Sequence, residues 1–180
     1  MVISTSVASA LTPMQSAFSN LDRFISSYVE GRENEPDASD SGKVILGNER
    51  LLTEYSHLIK GKRLGLVTNQ TGVDSAMVKT VDKLYNYNEA ELTAIYSPEH
   101  GLDGKTLAGK YVASYTDKTL NLPVYSLYGE TREPSKAMME NVDVMIFDMQ
   151  DIGSRTYTYM STLNYVMRAG KKYGKPVIIL

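Results

Sequence analysis

A glutamate and a histidine stand side by side between a proline and a glycine in Ser97-Pro98-Glu99-His100-Gly101, directly after the apolar run Leu92-Thr93-Ala94-Ile95-Tyr96. Alternating and β-branched residues favour an extended strand up to Tyr96. Pro98 removes a ladder donor, and Gly101 permits a sharp exit that a bulkier residue would resist. A carboxylate and an imidazole are thereby held at the carboxyl end of a strand. In an open parallel sheet, ligands bind in the crevice outside those ends. A Pro-Gly loop with a solvated Glu and His is the simpler reading of five residues alone, so the weight falls on what the other strand ends carry.

Three further polar clusters follow apolar runs in the same way: Asn69-Gln70-Thr71, Tyr128-Gly129-Glu130-Thr131-Arg132 and Asp148-Met149-Gln150-Asp151. If the sheet is parallel, all four sit on one rim, which is what an active site in this architecture needs. Each has a plainer role open to it. Asn69 and Thr71 suit a turn or a helix cap, Arg132 a surface ion pair, and Asp148 and Asp151 the cap of a helix beginning near Ser154. Carboxylates with flanking hydrogen-bond donors suit glycoside hydrolysis, in which one carboxylic acid protonates the leaving oxygen and a second group assists at the sugar carbon. A metal is not expected, because Glu99 and His100 are adjacent rather than a helical turn apart and the spacing matches no metal motif. No cofactor is implied either: the turn after the first strand is Asn69-Gln70-Thr71-Gly72 and not G-x-G-x-x-G, and no G-x-S-x-G elbow marks a serine hydrolase.

The elements that must position these groups follow from periodicity. Leu51, Leu52, Tyr55, Leu58 and Ile59 predict a helix over Glu49 to Lys60, which Gly61 ends. Strands are predicted over Arg63–Thr68, Leu92–Tyr96, Leu122–Leu127, Val142–Phe147 and Val177–Leu180, with helices near Met77–Tyr85 and over Thr156–Tyr173. Short apolar runs alternating with helical segments predict an α/β fold, a three-layer Rossmann-like open parallel sheet with helices on both faces. The fragment Gly101–Asn121, rich in glycine and polar residues, reads as a long loop that starts at Glu99, and loops of that length inside a domain are usually functional.

The 180 residues suffice for one sizeable core, and 42% hydrophobic with 22% charged residues is the composition of an ordinary globular domain. With 19 basic and 21 acidic residues and no basic cluster, a nucleic-acid partner is not indicated. No apolar run approaches the roughly 20 residues that span a bilayer. The absence of cysteine removes disulfides, thiolate metal sites and cysteine nucleophiles. Residues 1–42 read as an N-terminal tail: Ala8-Ser9-Ala10 has the small-x-small pattern of a signal-peptidase site, Met14, Phe18, Leu21, Ile25 and Tyr28 predict a helix over Pro13–Glu30, and the polar, acidic Gly31–Gly42 reads as a flexible linker. Residues 43–180 then form the α/β domain.

The segments Gly61–Gly72, Ser97–Leu102, Leu122–Gly129 with Thr131-Arg132, and Phe147–Gly153 with Arg155 and Tyr157-Thr158-Tyr159 resemble the exo-β-N-acetylmuramidase family, in four ordered motifs over roughly residues 45 to 180. The resemblance implies a hydrolase of peptidoglycan breakdown or recycling that releases N-acetylmuramic acid from non-reducing ends of cell-wall fragments. It also implies a Rossmann-like domain followed by a smaller C-terminal domain, with the site in the cleft between them. The glutamate of the family's Pro-Glu-His-Gly motif is Glu99 here. The expected catalytic set is therefore Glu99 with Asp148 and Asp151. The expected substrate contacts are Asn69, Gln70, His100, Tyr128, Arg132, Gln150 and Arg155. Glu99 is expected to be the proton donor, with its pKa raised from about 4.3 by partial burial or by Asp148 or Asp151. His100 and Arg132 are expected to orient substrate.

Family chains continue past the strand at Val177–Leu180 into a further acidic residue and a second domain, so this chain is expected to be the truncated N-terminal part. Its partners would be a peptidoglycan-derived sugar or muropeptide and a second chain supplying the C-terminal domain. The alternative function is a non-catalytic fragment that binds muropeptides or another chain through the rim. Secretion or the cell envelope is the expected location, with the cytoplasm left open by composition. Because Gly31–Gly42 lacks apolar residues to offset its ordering entropy, limited proteolysis is expected to cut there first; protection of that stretch relative to the α/β domain would refute its reading as a linker.

Overall fold

The computed structural model describes residues 44–180. The signal-like Ala8-Ser9-Ala10, the helix expected over Pro13–Glu30 and the linker Gly31–Gly42 lie outside the described residues.

The chain enters on helix α1 (Gly47–Thr53) and a single 3-10 turn at Ser56–Leu58. Strand β1 (Arg63–Thr68), helix α2 (Thr80–Tyr85) and strand β2 (Glu91–Ser97) follow. Then come the short strand β3 (Tyr115–Asp117), β4 (Leu122–Ser126), β5 (Val144–Asp148), the long helix α3 (Tyr159–Tyr173) and β6 (Val177–Ile179). The six strands form one sheet in the order β3-β4-β2-β1-β5-β6. All neighbours are parallel except β3 with β4.

Period-two alternation builds both faces. In β1 and β5, Leu64, Leu66, Val144 and Ile146 pack with Leu51, Val81 and Leu84 of α1 and α2. The alternate residues Val67, Met145 and Phe147 pack with Tyr159, Val166 and Ala169 of α3. Gly65 falls on the α3 face, where an added Cβ would lie 2.8 Å from the Met145 sulfur and 2.9 Å from the Tyr96 ring. The missing side chain makes room for Tyr96, which is wholly buried and whose hydroxyl donates to the Met138 carbonyl at 2.6 Å. Burial pushes that phenol's pKa well up.

Three expectations are corrected. The helix expected over Glu49–Lys60 stops at Thr53: Tyr55 and Leu58 are 44% and 45% exposed and, of the expected apolar residues beyond Thr53, Ile59 alone reaches the core, because the chain turns back to Gly61 at φ +68°, whose amide donates to the Glu89 carbonyl at 2.6 Å. The sheet is mixed, since Tyr115–Asp117 leaves the long loop to pair antiparallel with β4. Between β4 and β5 the connection contains hydrogen-bonded turns around Ser135–Val142 rather than an α-helix, and it covers the α3 face with Met139 and Val142.

At the amino end of β1, Asp143 accepts from the Arg63 amide, Nε and Nη2 at 2.8–3.1 Å, which pins β1 to the entry of β5 and holds the Asp143 carboxyl well below the usual range. At the carboxyl end the fastening is different. Asp148 Oδ2 accepts from Thr80 Oγ1 at 2.6 Å and Asn48 Nδ2 at 3.3 Å, tying β5 to the first residue of α2 and to α1. Burial pushes the Asp148 pKa up, and these two donors with Lys83 only partly offset it. A carboxyl whose folded pKa is raised stabilises the fold fully below its unfolded pKa, and that contribution is lost as pH rises through the folded pKa. Asp148→Asn keeps an acceptor for Thr80 and removes the buried charge. It is therefore expected to match or exceed the unaltered chain in denaturant stability at pH 7, with the difference vanishing at acid pH. Asp148→Ala is expected to lose about 1–3 kcal/mol by stranding the Thr80 hydroxyl, since Asn48 Nδ2 keeps the Val73 carbonyl and Thr80 Oγ1 as acceptors.

Candidate functional site

The parallel register brings the carboxyl ends of β1, β2, β4 and β5 to one rim. Bonds between the loops lock it. The Thr68 hydroxyl donates to the Asp148 carbonyl at 2.7 Å, the Gln150 amide to Thr71 Oγ1 at 2.9 Å, and the Leu127 amide to the Ser97 carbonyl at 2.8 Å. Gly72 sits where a Cβ would run into the Thr68 hydroxyl and come within 3.0 Å of the Asp148 carbonyl, so the β1–α2 turn is pressed against β5.

Glu99 lies at the centre of this rim and is 9% exposed. Its Oε1 accepts the Gly109 amide at 2.8 Å and its Oε2 the Thr158 hydroxyl at 2.7 Å, while the Tyr128 hydroxyl stands beside the same carboxylate. The loop after it is folded back on itself. His100 adopts φ +73°, and its Nδ1 lies 2.7 Å from the Thr106 carbonyl, to which it must donate. The His100 ring lies 6.1 Å from that of Tyr157, which meets Tyr159 edge-on at 4.9 Å.

Burial raises the Glu99 pKa, but the Gly109 amide, the Thr158 and Tyr128 hydroxyls and the charge of His100 outweigh it, and the net direction is down. The carboxylate is covered by its own loop at the edge of the domain, where donors count for more than the surrounding protein. The expectation of a raised pKa is thus corrected: no neighbouring carboxylate pushes it up, because Asp148 turns toward α1 and α2 while Glu99 turns toward the start of α3.

The other expected residues divide. Asn69 is 4% exposed; its Oδ1 takes the Thr71 amide at 2.9 Å and hydroxyl at 2.6 Å, and its Nδ2 is buried without a well-placed acceptor, beside the Tyr159 hydroxyl. Gln70 is exposed and its amide presses on Gly104, at φ +68°. Asp151 Oδ2 accepts the Gly153 amide at 2.8 Å, and its Oδ1 is buried without a partner. Gln150 is exposed and donates to the Asp151 carbonyl at 3.0 Å. The Arg132 guanidinium stacks over the Tyr128 ring at 4.6 Å, and Arg155 is exposed. On the α2 side of the rim, Asn69, Gln70, Lys79, Asp103, Lys105 and Tyr115 border a cavity of about 430 Å³ that does not include Glu99.

Sequence reasoning missed Gly109 and Thr158. Gly109 adopts φ +71°, which a glycine takes without strain, and it was legible only as one glycine of the long loop. Thr158 precedes a helix, where a threonine reads as a cap.

Taken together, the rim holds a carboxylate fixed by two donors with the Tyr128 hydroxyl beside it, aromatic rings on two sides, and buried polar atoms of both senses, Asn69 Nδ2 and Asp151 Oδ1, without partners. That set suits a polyhydroxyl ligand over a phosphate or a metal. Among the described residues no group of three or more His, Cys, Asp or Glu is arranged to hold a metal ion.

Residues 64–180 match the family model described as exo-beta-N-acetylmuramidase NamZ, N-terminal. A peptidoglycan beta-N-acetylmuramidase NamZ of Bacillus subtilis (strain 168) is 46% identical over 138 residues, which is 77% of this chain and 33% of that protein. Two crystal structures of DUF1343 family proteins from Bacteroides fragilis superpose with TM-scores of 0.68 and 0.60 at 41% and 33% identity. They cover 76% and 77% of this chain and 34% and 35% of theirs. The chain therefore spans about one third of the length of the relatives it matches. On the match over most of the described α/β domain, the chain belongs to the exo-β-N-acetylmuramidase NamZ family.

Proposed function

We propose that this domain forms one wall of a glycosidase site that releases N-acetylmuramic acid from the non-reducing ends of peptidoglycan fragments, a reading supported by the family's description as an exo-beta-N-acetylmuramidase and by the Bacillus subtilis relative's name, peptidoglycan beta-N-acetylmuramidase. The observation that carries the reading is Glu99, a covered carboxylate held by Gly109 and Thr158 on a rim of aromatic and amide groups. In the relatives the matched stretch is a third of one longer chain, and the expectation that a second chain supplies the C-terminal domain finds no support in them. A substrate of this class is met at the cell envelope or outside the cell, and we infer that location for the activity.

The chemistry follows from the charge state. Departure of the leaving oxygen builds positive charge on the anomeric carbon and ring oxygen. An ionised Glu99 with oriented oxygens stabilises that charge, or takes the proton of the water that attacks it, without reorganising. The proton for the leaving group must then come from another acid. Asp151, with one oxygen anchored by Gly153 and the other buried and unpaired, is the rim acid suited to it, and Asp148 is not, because its carboxyl serves α1 and α2. Asn69, Gln70, Gln150, Arg132 and Arg155 serve as hydroxyl, acetamido and carboxylate contacts, and Tyr128, Tyr157 and His100 as ring surfaces.

The test is hydrolysis of aryl β-N-acetylmuraminides by an active protein of complete length carrying these residues. Glu99→Gln is expected to reduce kcat by on the order of 10³-fold or more. The loss should be of similar size for good and poor leaving groups, and the acid limb of the unaltered enzyme's pH profile should follow the depressed Glu99 pKa. A loss confined to poor leaving groups would return Glu99 to the role of proton donor. A variant that keeps most of its rate on both would refute a catalytic Glu99.

A further inference from the structure

The residue before α3 does something unusual with its hydroxyl. Threonine at a helix N-cap ordinarily accepts an amide proton from the first turn. Thr158 makes no such bond, and its backbone stands at φ −92°, ψ −4° rather than in the extended conformation typical of a cap. Its hydroxyl instead donates to Glu99 Oε2 at 2.7 Å, across 59 residues of chain. The backbone that carries it is held firmly. The Thr158 carbonyl accepts the Thr162 amide at 2.9 Å and the Thr162 hydroxyl at 3.2 Å, and Thr162 is 5% exposed. On either side, Tyr157 and Tyr159 meet edge-on, and Tyr157 rests against His100.

We propose that Thr158 is a positioning residue for the site: released from capping α3, its hydroxyl fixes the orientation of the Glu99 carboxylate against the Gly109 amide, so that the first turn of α3 and the loop after β2 act as the two jaws of one clamp. The inference rests on Glu99 being the catalytic carboxylate. It adds a group that does not touch substrate but decides which way the oxygens of Glu99 point. Two donors on two different oxygens fix both the χ angles and the plane of a carboxylate, which neither could do alone. The methyl group of threonine restricts χ1 and so fixes the direction of the hydroxyl more tightly than a serine would.

The titratable groups that face Glu99 are His100 on its own loop, Tyr128 after β4 and Tyr159 at the start of α3. A readout on Glu99 itself therefore separates the clamp from them. In the present chain, carbon-detected NMR of the Glu99 carboxyl gives its titration midpoint directly. Thr158→Val, which keeps the shape and removes the donor, is expected to raise that midpoint by on the order of one pH unit. Thr158→Ser is expected to restore it to within a few tenths. In an active protein of complete length, Thr158→Val should lower kcat on the order of tenfold with KM nearly unchanged, and the acid limb of the pH profile should move up with the midpoint. In the unaltered chain, the Gly109 amide proton and the Thr158 hydroxyl proton should shift together with the Glu99 carboxyl as it titrates, a test that needs no substitution. An unmoved midpoint in Thr158→Val, a serine variant displaced as far as the valine, or no shared midpoint in the unaltered chain would overturn the clamp. Failure of the glycosidase reading shows elsewhere, as hydrolysis that survives Glu99→Gln whatever residue 158 carries.

Discussion

A carboxylate covered to 9% exposure is stable as an anion only if polar groups replace the water it has lost, and in this domain the groups around it come from three separate places. Gly109 supplies an amide from the loop after β2, Tyr128 a hydroxyl from the end of β4, and Thr158 a hydroxyl from the threshold of α3. Each can reach Glu99 only if its own element is in place. The loop returns because His100 at positive φ ties back to Thr106, and because the Val112 amide bonds the Tyr128 carbonyl at 3.1 Å. The threshold of α3 is in place because Val166 and Ala169 dock the helix on the face that Gly65 leaves open for Tyr96. The site is thus a consequence of sheet packing more than of any local motif.

The strands were legible because their apolar residues obey a period of two that burial enforces: Leu64, Leu66, Val144 and Ile146 to one face, Val67, Met145 and Phe147 to the other. β3 was not, since Tyr115-Thr116-Asp117 presents no apolar alternation and becomes a strand only because β4 offers it an edge. The helix at Glu49 was overextended for a related reason. Leu51, Tyr55, Leu58 and Ile59 have helical spacing, but the chain needs its turn at Gly61 more than it needs to bury Tyr55 and Leu58.

The candidate site was legible at Glu99, where proline and glycine flag an abrupt strand end, and illegible in what surrounds it. Whether a polar side chain near a strand end faces the rim, or a helix below it, depends on parity and on partners far away in sequence. Asp148 shares parity with Val144 and Ile146, and that parity turns it to α1 and α2, where Thr80 and Asn48 wait. Thr158 was equally hidden, because local sequence reads a threonine before a helix as a cap and has no access to a carboxylate 59 residues earlier.

The same two carboxyls show how environment divides acids of similar intrinsic strength. Asp148 is deep and meets two neutral donors, so burial dominates and its pKa moves up. Glu99 is covered only by its own loop and meets the Gly109 amide and the Thr158 hydroxyl, with the Tyr128 hydroxyl and His100 beside them, so these groups outweigh burial and its pKa moves down. Divergence of this kind is what assigns acid and base in a hydrolytic pair when the two groups share a substrate. Here they do not share one, for they face opposite sides of the sheet. Asp148 therefore serves the fold, and on the glycosidase reading proposed above Glu99 serves the chemistry, so the acid that complements it is sought among the other acids of the rim. Asp151 is the described acid that ends β5's loop with an unsatisfied oxygen, and the turn it makes with Gly153 is what keeps that oxygen from being used for the fold.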